Sequence, residues 1–298
     1  LLNEYALAEA EGGKVVAAAS EKDIFAALGL AFVPAPMRED TGEVELAGKD
    51  ELPRVVDESH LKGDLGVCVS LAAGAASGLA QVLDAAAARG YRYLALRERA
   101  SELAVAGVDR AQLTTRRVRL AKLAKKHPSL HLFYACELDI GRTGELDDPA
   151  GLGAQAAFCV AGVSSDFELG ASAQTDRLIA ALHDPSVRIL VHISGRLLGE
   201  RPAIEFDADA VLRAAEKTRT VIELSSSLMR LDAPAEFLRR AREYDVLFAV
   251  SSEAESARDL GAVRWGTLYA QRGWLDADRV VNTWPARRLL AWLRERQP

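Results

Sequence analysis

From Gly63 onward, short apolar runs alternate with stretches in which apolar residues recur every three to four positions. The first kind of run predicts buried strands, and the second predicts amphipathic helices. The predicted strands are 65–71, 91–96, 130–140, 158–163, 188–193, 221–224 and 246–251. The predicted helices are 78–88, 110–126, 176–182, 207–218, 233–244 and 286–296. About seven strand–helix units without an internal sequence repeat indicate a closed parallel α/β barrel.

The first 60 residues have a different pattern. Ser20 and Asp23 resemble a capping box at the start of a helix over 24–28 that ends at Gly29. Two prolines and the charged stretch 37–45 follow, and they predict an exposed loop. Further breaks occur at Pro53 and at Lys62. We therefore predict a small segment over 1–48, a linker over 49–62 and the barrel over 63–298.

Composition limits the function classes. The chain has 298 residues, of which 49% are hydrophobic and 27% charged, as in a globular protein that needs no disulfide or metal to fold. Its net charge of −6 disfavours a globally basic nucleic-acid binder but leaves a local basic face open. Cys68, Cys136 and Cys159 have no CxxC spacing, so we expect reduced thiols in a cytoplasmic protein. The sequence shows no signal peptide or membrane span, and its start at Leu1 leads us to expect a fragment.

Polar side chains gather where the predicted strands end. In parallel barrels the chemistry lies at these carboxyl ends. Histidine is nearly absent there, because only His192 follows a predicted strand. The other polar residues at the strand ends are Cys68, Glu98, Arg99, Glu137, Asp139, Ser164, Glu223, Ser225, Glu253 and Glu255.

Several blocks of sequence point to a known family. They are 62–65 (KGDL), 90–96 (GYRYLAL), 137–140 (ELDI), 192–199 (HISGRLLG), 249–252 (AVSS), 272–275 (RGWL) and 282–285 (NTWP). In this order they resemble the PHP (polymerase and histidinol phosphatase) domain at the C-terminus of bacterial X-family DNA polymerases. The segment Asn3, Glu4, Tyr5 and the stretch 20–30, followed by Pro34, resemble the end of the thumb of these polymerases.

The resemblance implies an α/β fold, in which a distorted (β/α)₇ barrel follows a small α+β thumb remnant. It implies that the parent protein is a gap-filling polymerase of DNA repair, whose partners are DNA and the remainder of the polypeptide. In the family, the palm carries an aspartate triad with Mg²⁺, which lies outside these residues. The thumb segment with Asn3, Glu4 and Tyr5 helps to position the template. The family's barrel holds a trinuclear metal cluster and acts as a manganese-dependent 3′–5′ exonuclease or phosphoesterase.

The chain departs from the family at the metal ligands. Where the family has two histidines and an aspartate after the first strand, this chain has 66–74 (GVCVSLAAG). The family's Thr-Asp-His is 97–99 (RER), its next histidine is Ser164, and its closing Asp-Ala-His is 253–255 (EAE). Of the family's ligand positions, Glu137 and His192 keep their residue type and Glu253 keeps a carboxylate.

These departures predict a degenerate site. A multi-metal phosphoesterase needs carboxylates that bridge cations and imidazoles that complete each coordination shell. Arg99 also places a permanent positive charge where a ligand belongs. We therefore expect the barrel to serve as scaffold and DNA contact. Two alternatives stay open: an Mn²⁺ or Mg²⁺ exonuclease with an altered ligand set, and a histidinol-phosphate-type phosphatase, which the thumb-like N-terminus disfavours. The residual metal ligands of the first alternative are Glu137, His192, Glu253 and Glu255.

Structural roles compete with these functional ones. We expect Glu137 to pair with Arg99 or another cation at the barrel mouth rather than with a metal. For His192, a role as a hydrogen-bonded core residue fits the sequence as well as metal ligation does. The helix over 110–126 is rich in basic residues that can track a DNA backbone, although a solvated outer helix is the favoured interpretation. Arg196 and Arg230 lie near strand ends and can hold a phosphate or pair with carboxylates. The candidate DNA-contacting residues are thus Arg196, Arg230, Arg116, Arg119 and Lys122.

Overall fold

The computed structural model describes residues 1–3, 5–71, 76–149 and 151–295. The chain divides into two compact units, Leu1–Val55 and Val56–Pro298. The assignment of 1–48 to a thumb and of 49–62 to a linker stays a prediction.

The first unit pairs two short strands with two helices. Its antiparallel strands are β1 (Leu7–Ala8) and β2 (Val15–Ala17), and its helices are α1 (Glu21–Ala27) and α2 (Glu43–Lys49). The Ser20 hydroxyl accepts a hydrogen bond from the backbone N–H of Asp23, which confirms the predicted helix start. The loop predicted over 37–45 was wrong at its end. Helix α2 begins there, at Glu43. The buried carboxylate of Glu43 accepts hydrogen bonds from the backbone N–H groups of Asp40 and Thr41, both at 2.8 Å.

The second unit alternates strands and helices, as its apolar pattern predicts. Its strands are β3 (Gly63–Val67), β4 (Tyr93–Arg99), β5 (His131–Ile140), β6 (Leu146–Asp147), β7 (Phe158–Gly162), β8 (Val187–Val191), β9 (Val221–Ser225) and β10 (Phe248–Ser251). Its helices are α3 (Ala76–Ala88), α4 (Ala100–Val105), α5 (Arg110–Ala124), α6 (Ala171–Leu182), α7 (Ala208–Thr218), α8 (Ala235–Arg240), α9 (Val263–Arg272) and α10 (Ala286–Arg294). The sequence did not predict α4 or α9, and Arg296, the predicted end of the last helix, lies outside the described residues.

Seven parallel strands form a nearly closed barrel in the order β10-β9-β8-β7-β5-β4-β3, so the predicted fold is confirmed. Side chains seal the remaining seam between β10 and β3. The Asn282 amide donates to the carbonyls of Gly63 and Val250 and accepts from the Val250 N–H. The buried Asp64 carboxylate accepts from the N–H groups of Gly66 and Ser252.

Strand alternation separates the barrel interior from its outer shell. On β4, Tyr93 and Ala95 belong to the interior core, whereas Leu94 and Leu96 pack with the outer helices. The buried free thiols of Cys136 and Cys159 lie in the outer layer as small apolar residues.

The strands' amino ends are covered by the C-terminal segment. Trp284, Leu289 and Trp292 join the interior core, and the two indoles meet edge to face with ring centroids 6.2 Å apart. The Tyr93 hydroxyl donates to the carbonyl of Asn282 at 2.8 Å and so ties this segment to β4. Within the described ranges, no helix combines the length and the apolarity that a membrane crossing requires.

Candidate functional site

The carboxyl end of the barrel, called the mouth below, is built around a buried arginine. Arg97 projects inward from β4 and is 3% exposed. Its Nη1 lies 2.7 Å from Glu223 Oε1, and its Nε lies 3.1 Å from Glu137 Oε2. A guanidinium is permanently charged and planar, so it bridges two carboxylates as a cation. Arg97 thus lies between the acids of β5 and β9.

A second arginine neutralises the outer side of Glu137. Arg99 Nη2 donates to Glu137 Oε1 at 2.8 Å, which confirms the predicted pairing of Arg99 with Glu137. Arg99 Nε also lies 3.5 Å from Asp139 Oδ1. Burial by itself raises the pKa of Glu137, but the positive charge of Arg97, followed by other nearby cations, lowers it to about 2. Glu137 is therefore ionised at neutral pH.

Three further groups come together beside this pair. One ligand atom each from His192, Glu223 and Glu253 lies within 4.8 Å of the other two. His192 Nδ1 is 3.8 Å from Glu223 Oε2 and 3.7 Å from Glu253 Oε1. These three atoms are buried and have no hydrogen-bond partner among the described residues. Their chemistry suits one divalent cation with oxygen and nitrogen ligands.

The same surroundings oppose a multi-metal cluster. Glu137, Glu223 and Glu253 each lie within 4.0 Å of a guanidinium, so their charges are already balanced. A divalent ion bound by Glu223 would lie close to the buried Arg97, and two cations repel strongly in a low-dielectric interior. The described residues therefore fit at most one ion.

At β3, neither of the two positions that correspond to histidines in the family offers a good metal ligand. A Cβ atom on Gly66 would lie 2.6 Å from Ser251 Cβ and 3.1 Å from Glu223 Oε1, so a larger side chain does not fit without displacement. At the second position, burial raises the pKa of Cys68 to about 11. The thiol therefore stays protonated at neutral pH and is a weak metal ligand. The rest of this family motif, 72–74, lies outside the described residues.

The imidazole at the mouth is neutral. Burial lowers the pKa of His192 to about 4, against the opposing effect of Glu253 and Glu137. Burial also raises the pKa of Glu223, although Arg97 opposes this shift. The backbones of His192 and Glu253 have φ values of 51° and 53°, in the left-handed region that side chains rarely occupy. Such strain clusters at functional sites in many proteins.

Two of the predicted DNA-contacting arginines line the rim of the mouth. Arg230 Nε lies 3.8 Å from Glu253 Oε2, so Arg230 faces a carboxylate. Arg196 donates to the carbonyls of Arg230 and Leu231 and to the Tyr269 hydroxyl. Its guanidinium fixes the loop after β9 against α9. The structure therefore gives both side chains partners within the protein.

The other predicted DNA contacts lie on α5. This helix begins after Asp109, whose side chain forms a capping box with Gln112. Arg116 pairs with Glu98, which points out of the barrel from β4, and Arg119 donates to the Leu71 carbonyl at 3.2 Å. Lys122 is exposed.

The remaining predicted site residues lie outside the buried cluster. Glu255 is exposed, whereas Glu137, His192 and Glu253 come together. In the first unit, the Asn3 side chain accepts from the backbone N–H groups of Tyr5 and Ala6, each at 2.9 Å, and Tyr5 is exposed. Glu4 lies outside the described residues.

Two residues of the mouth, Arg97 and Glu223, have no predicted role in the sequence. Both alternate with interior apolar residues of their strands, Ala95 on β4 and Val221 on β9. Residues two positions apart on a strand point to the same face, so a charged residue two positions after an interior apolar residue also points inward. That signal was present in both strands.

Comparisons with known proteins support the sequence resemblance. Residues 1–39 match the family model of the DNA polymerase beta thumb. Over 294 residues, the chain is 28% identical to the DNA polymerase/3′-5′ exonuclease PolX of Bacillus subtilis (strain 168). The resemblance to the thumb and PHP region of X-family polymerases is confirmed. The alignment covers 98% of this chain and 51% of the relative, so the chain spans about half of that relative's length.

Among solved structures, the chain is similar to a histidinol phosphate phosphatase from Lactococcus lactis subsp. lactis Il1403, crystallised with zinc, L-histidinol and phosphate. The two chains share 13% identity at a TM-score of 0.47, and the match covers 71% of this chain and 94% of the phosphatase.

Proposed function

We propose that this chain is the thumb end and PHP barrel of a bacterial X-family polymerase that fills gaps during DNA repair in the cytoplasm, and that its barrel is a non-catalytic scaffold. Polymerisation then depends on palm aspartates and Mg²⁺ elsewhere in the polypeptide. The observation that supports a non-catalytic barrel is the geometry of the ion pairs of Arg97. Its guanidinium bridges Glu137 and Glu223 in the interior, so an organic cation takes over the charge balance that metal ions provide in a multi-metal site.

DNA contact is the second part of this proposal. Lys122 and Arg117 are both exposed on α5, so each can neutralise a backbone phosphate. Arg116, Arg119, Arg196 and Arg230 are half-buried and contact protein groups, so their first role is to hold the loops at the mouth. We therefore place the larger share of the DNA affinity on the exposed cations of α5.

The experiment is a manganese titration of the full chain by isothermal calorimetry, with a nuclease assay on 3′-labelled single-stranded DNA. The proposal expects no binding of two or more Mn²⁺ ions per chain and no cleavage above that of a buffer blank. Stoichiometric binding of two or more ions, abolished in Glu137→Ala and His192→Ala together with cleavage, would overturn it. Lys122→Ala and Arg117→Ala test the proposed DNA contact. We expect each variant to weaken DNA binding and to reduce the salt dependence of the binding constant.

A manganese-dependent 3′–5′ exonuclease or phosphoesterase is the second candidate. The observation in its favour is the set of unpartnered ligand atoms on His192, Glu223 and Glu253. These residues would hold one ion, which would supply a Lewis acid for a phosphate oxygen. His192 is neutral at pH 7 and its imidazole is free to ligate, while Arg230 lies near enough to orient an anionic substrate. Glu223→Gln separates the candidates, because only the second expects it to abolish both manganese binding and cleavage.

A further inference from the structure

A cavity lies at the end of the barrel opposite the mouth. Its volume is about 670 Å³, within the range of small-molecule sites. It is bounded by the start of β8, the end of α7, the segments that immediately precede β9 and β10, and α10. The wall residues used below are Arg188, Glu216, Asp245, Trp284, Arg288 and Trp292.

The walls of this cavity are built from stacked planar groups. The Arg188 guanidinium lies over the Trp292 ring at 4.4 Å, and that of Arg288 lies over the Trp284 ring at 3.9 Å. Guanidinium planes and indoles are the groups on which proteins stack unpaired bases. Arg288 is exposed, so the outer face of its guanidinium is open to a flat ligand while the inner face covers Trp284.

The walls also contain donors that no protein group satisfies. Arg188 is 7% exposed and Trp284 is 4% exposed. The Nη atoms of Arg188 donate to the carbonyls of Glu295 and Trp292. Its Nε and the Nε1 of Trp284 are buried and have no hydrogen-bond partner among the described residues. Buried donors without acceptors destabilise the protein, so a ligand that brings acceptor atoms is stabilised here.

The charges around the cavity select against a strongly ionic ligand. Exposed carboxylates of Glu216 and Asp245 lie on the same walls as the guanidiniums of Arg188 and Arg288. A simple anion would meet the acids, and a simple cation would meet the arginines. A neutral ring that carries both acceptors and N–H donors can use both sets.

From these features we infer that the cavity binds a nucleobase. The ring stacks on the exposed guanidinium plane of Arg288, its carbonyl or ring-nitrogen acceptors face the Arg188 and Trp284 donors, and its amino group faces Glu216 or Asp245. This inference is independent of the function proposed for the mouth, because the cavity shares no residue with it.

The test is a ligand-observed NMR titration of the full chain with the four neutral deoxynucleosides. We expect at least one of them to bind with a Kd below about 1 mM. Trp284→Phe keeps an aromatic ring but removes the Nε1 donor, and we expect it to weaken binding about fivefold to tenfold. The matched control is Trp265→Phe on α9, where the indole is 43% exposed, and we expect its Kd to stay within about twofold of wild type.

Arg288→Met provides a second variant, because Arg288 is exposed and its loss does not empty the core. If Trp284→Phe loses its near-ultraviolet circular dichroism, the test depends on Arg288→Met alone. We expect Arg288→Met to weaken deoxynucleoside binding about threefold to fivefold. No binding of any deoxynucleoside up to 10-fold above the expected Kd would overturn the inference. Equal weakening in Trp284→Phe and Trp265→Phe would do so as well.

Discussion

Both ends of the barrel bury an arginine, but the two arginines have different partners. At the mouth, Arg97 lies between the carboxylates of Glu137 and Glu223. At the opposite end, Arg188 covers the Trp292 ring and donates to backbone carbonyls. The charged groups at the mouth therefore pair with one another, whereas the buried arginine at the other end is held by an indole ring and by backbone carbonyls. Parallel α/β barrels place their chemistry at the carboxyl ends of the strands, and in this chain that end holds the buried ion pairs.

The largest effect is expected from breaking the network at the mouth. Arg97→Met removes the shared cation and leaves two buried carboxylates without it, so we expect the free energy of unfolding to fall by about 3–5 kcal/mol. Urea unfolding followed by circular dichroism measures this change.

The matched control is Arg240→Met, which breaks an exposed pair with Asp209. Its urea midpoint should stay close to that of wild type, because surface ion pairs contribute little. Equal losses in both variants would show that Arg97 is not the centre of a buried network.

Acid should weaken the ion-pair network at the mouth. The pKa of Glu137 is about 2 in the folded chain against an ordinary value of 4.5. A carboxylate with a lowered pKa stabilises the fold above its unfolded pKa, and this contribution is lost as pH falls from 4.5 toward 2. We expect the contribution of Glu137 to fall by about 3 kcal/mol over that window, measured by urea unfolding of wild type against Glu137→Gln in metal-free buffers.

Glu137→Gln should be less stable than wild type at pH 5, and the difference should shrink as pH falls to 2. A difference that stays constant with pH would contradict the assignment to Glu137.

The order of the strands and the pairing of Arg99 with Glu137 were predictable from the sequence, because apolar runs and strand-end charges are local signals. The depth of Arg97 was not. Arg97 and Arg99 share one face of β4, but only the register with β5, in which Arg97 lies beside Ala135 and Arg99 beside Glu137, decides which one is buried. That register depends on residues distant in sequence.

Helix α9 was missed for a related reason. Gly266 interrupts its apolar pattern, and glycine weakens a helix prediction. The structure explains this glycine, because a Cβ atom there would collide with the Ser226 side chain. Close packing of α9 against Ser226 thus requires a glycine, and this glycine weakens the helical pattern in the sequence.

A smaller effect on stability is expected from adding a side chain at Gly66. Gly66→Ala places a methyl group 2.6 Å from Ser251 Cβ, and overpacking of this kind costs about 1–3 kcal/mol. The control is Gly78→Ala on α3, where an added Cβ meets nothing within 4 Å. That change should stabilise the protein by about 0.5–1 kcal/mol, since alanine favours a helix. Changes of the same sign in both variants, measured by thermal unfolding, would refute the steric argument.

The smallest effect is expected at the opposite end. Arg288→Met removes an exposed cation over the Trp284 ring, so we expect a loss of about 0.5–1 kcal/mol. Urea unfolding checks this value. A loss as large as that of Arg97→Met would remove the difference between the two ends on which the comparison depends.

The central claim is that Arg97 provides the cationic charge at the mouth, so that a metal cluster is excluded there. Anomalous diffraction from crystals soaked in Mn²⁺ tests it most directly. The account predicts at most one manganese peak at the mouth, beside His192, Glu223 and Glu253, and none between Glu137 and the Arg97 guanidinium. Two or more fully occupied peaks beside Glu137, with Arg97 displaced from the carboxylates, would contradict it.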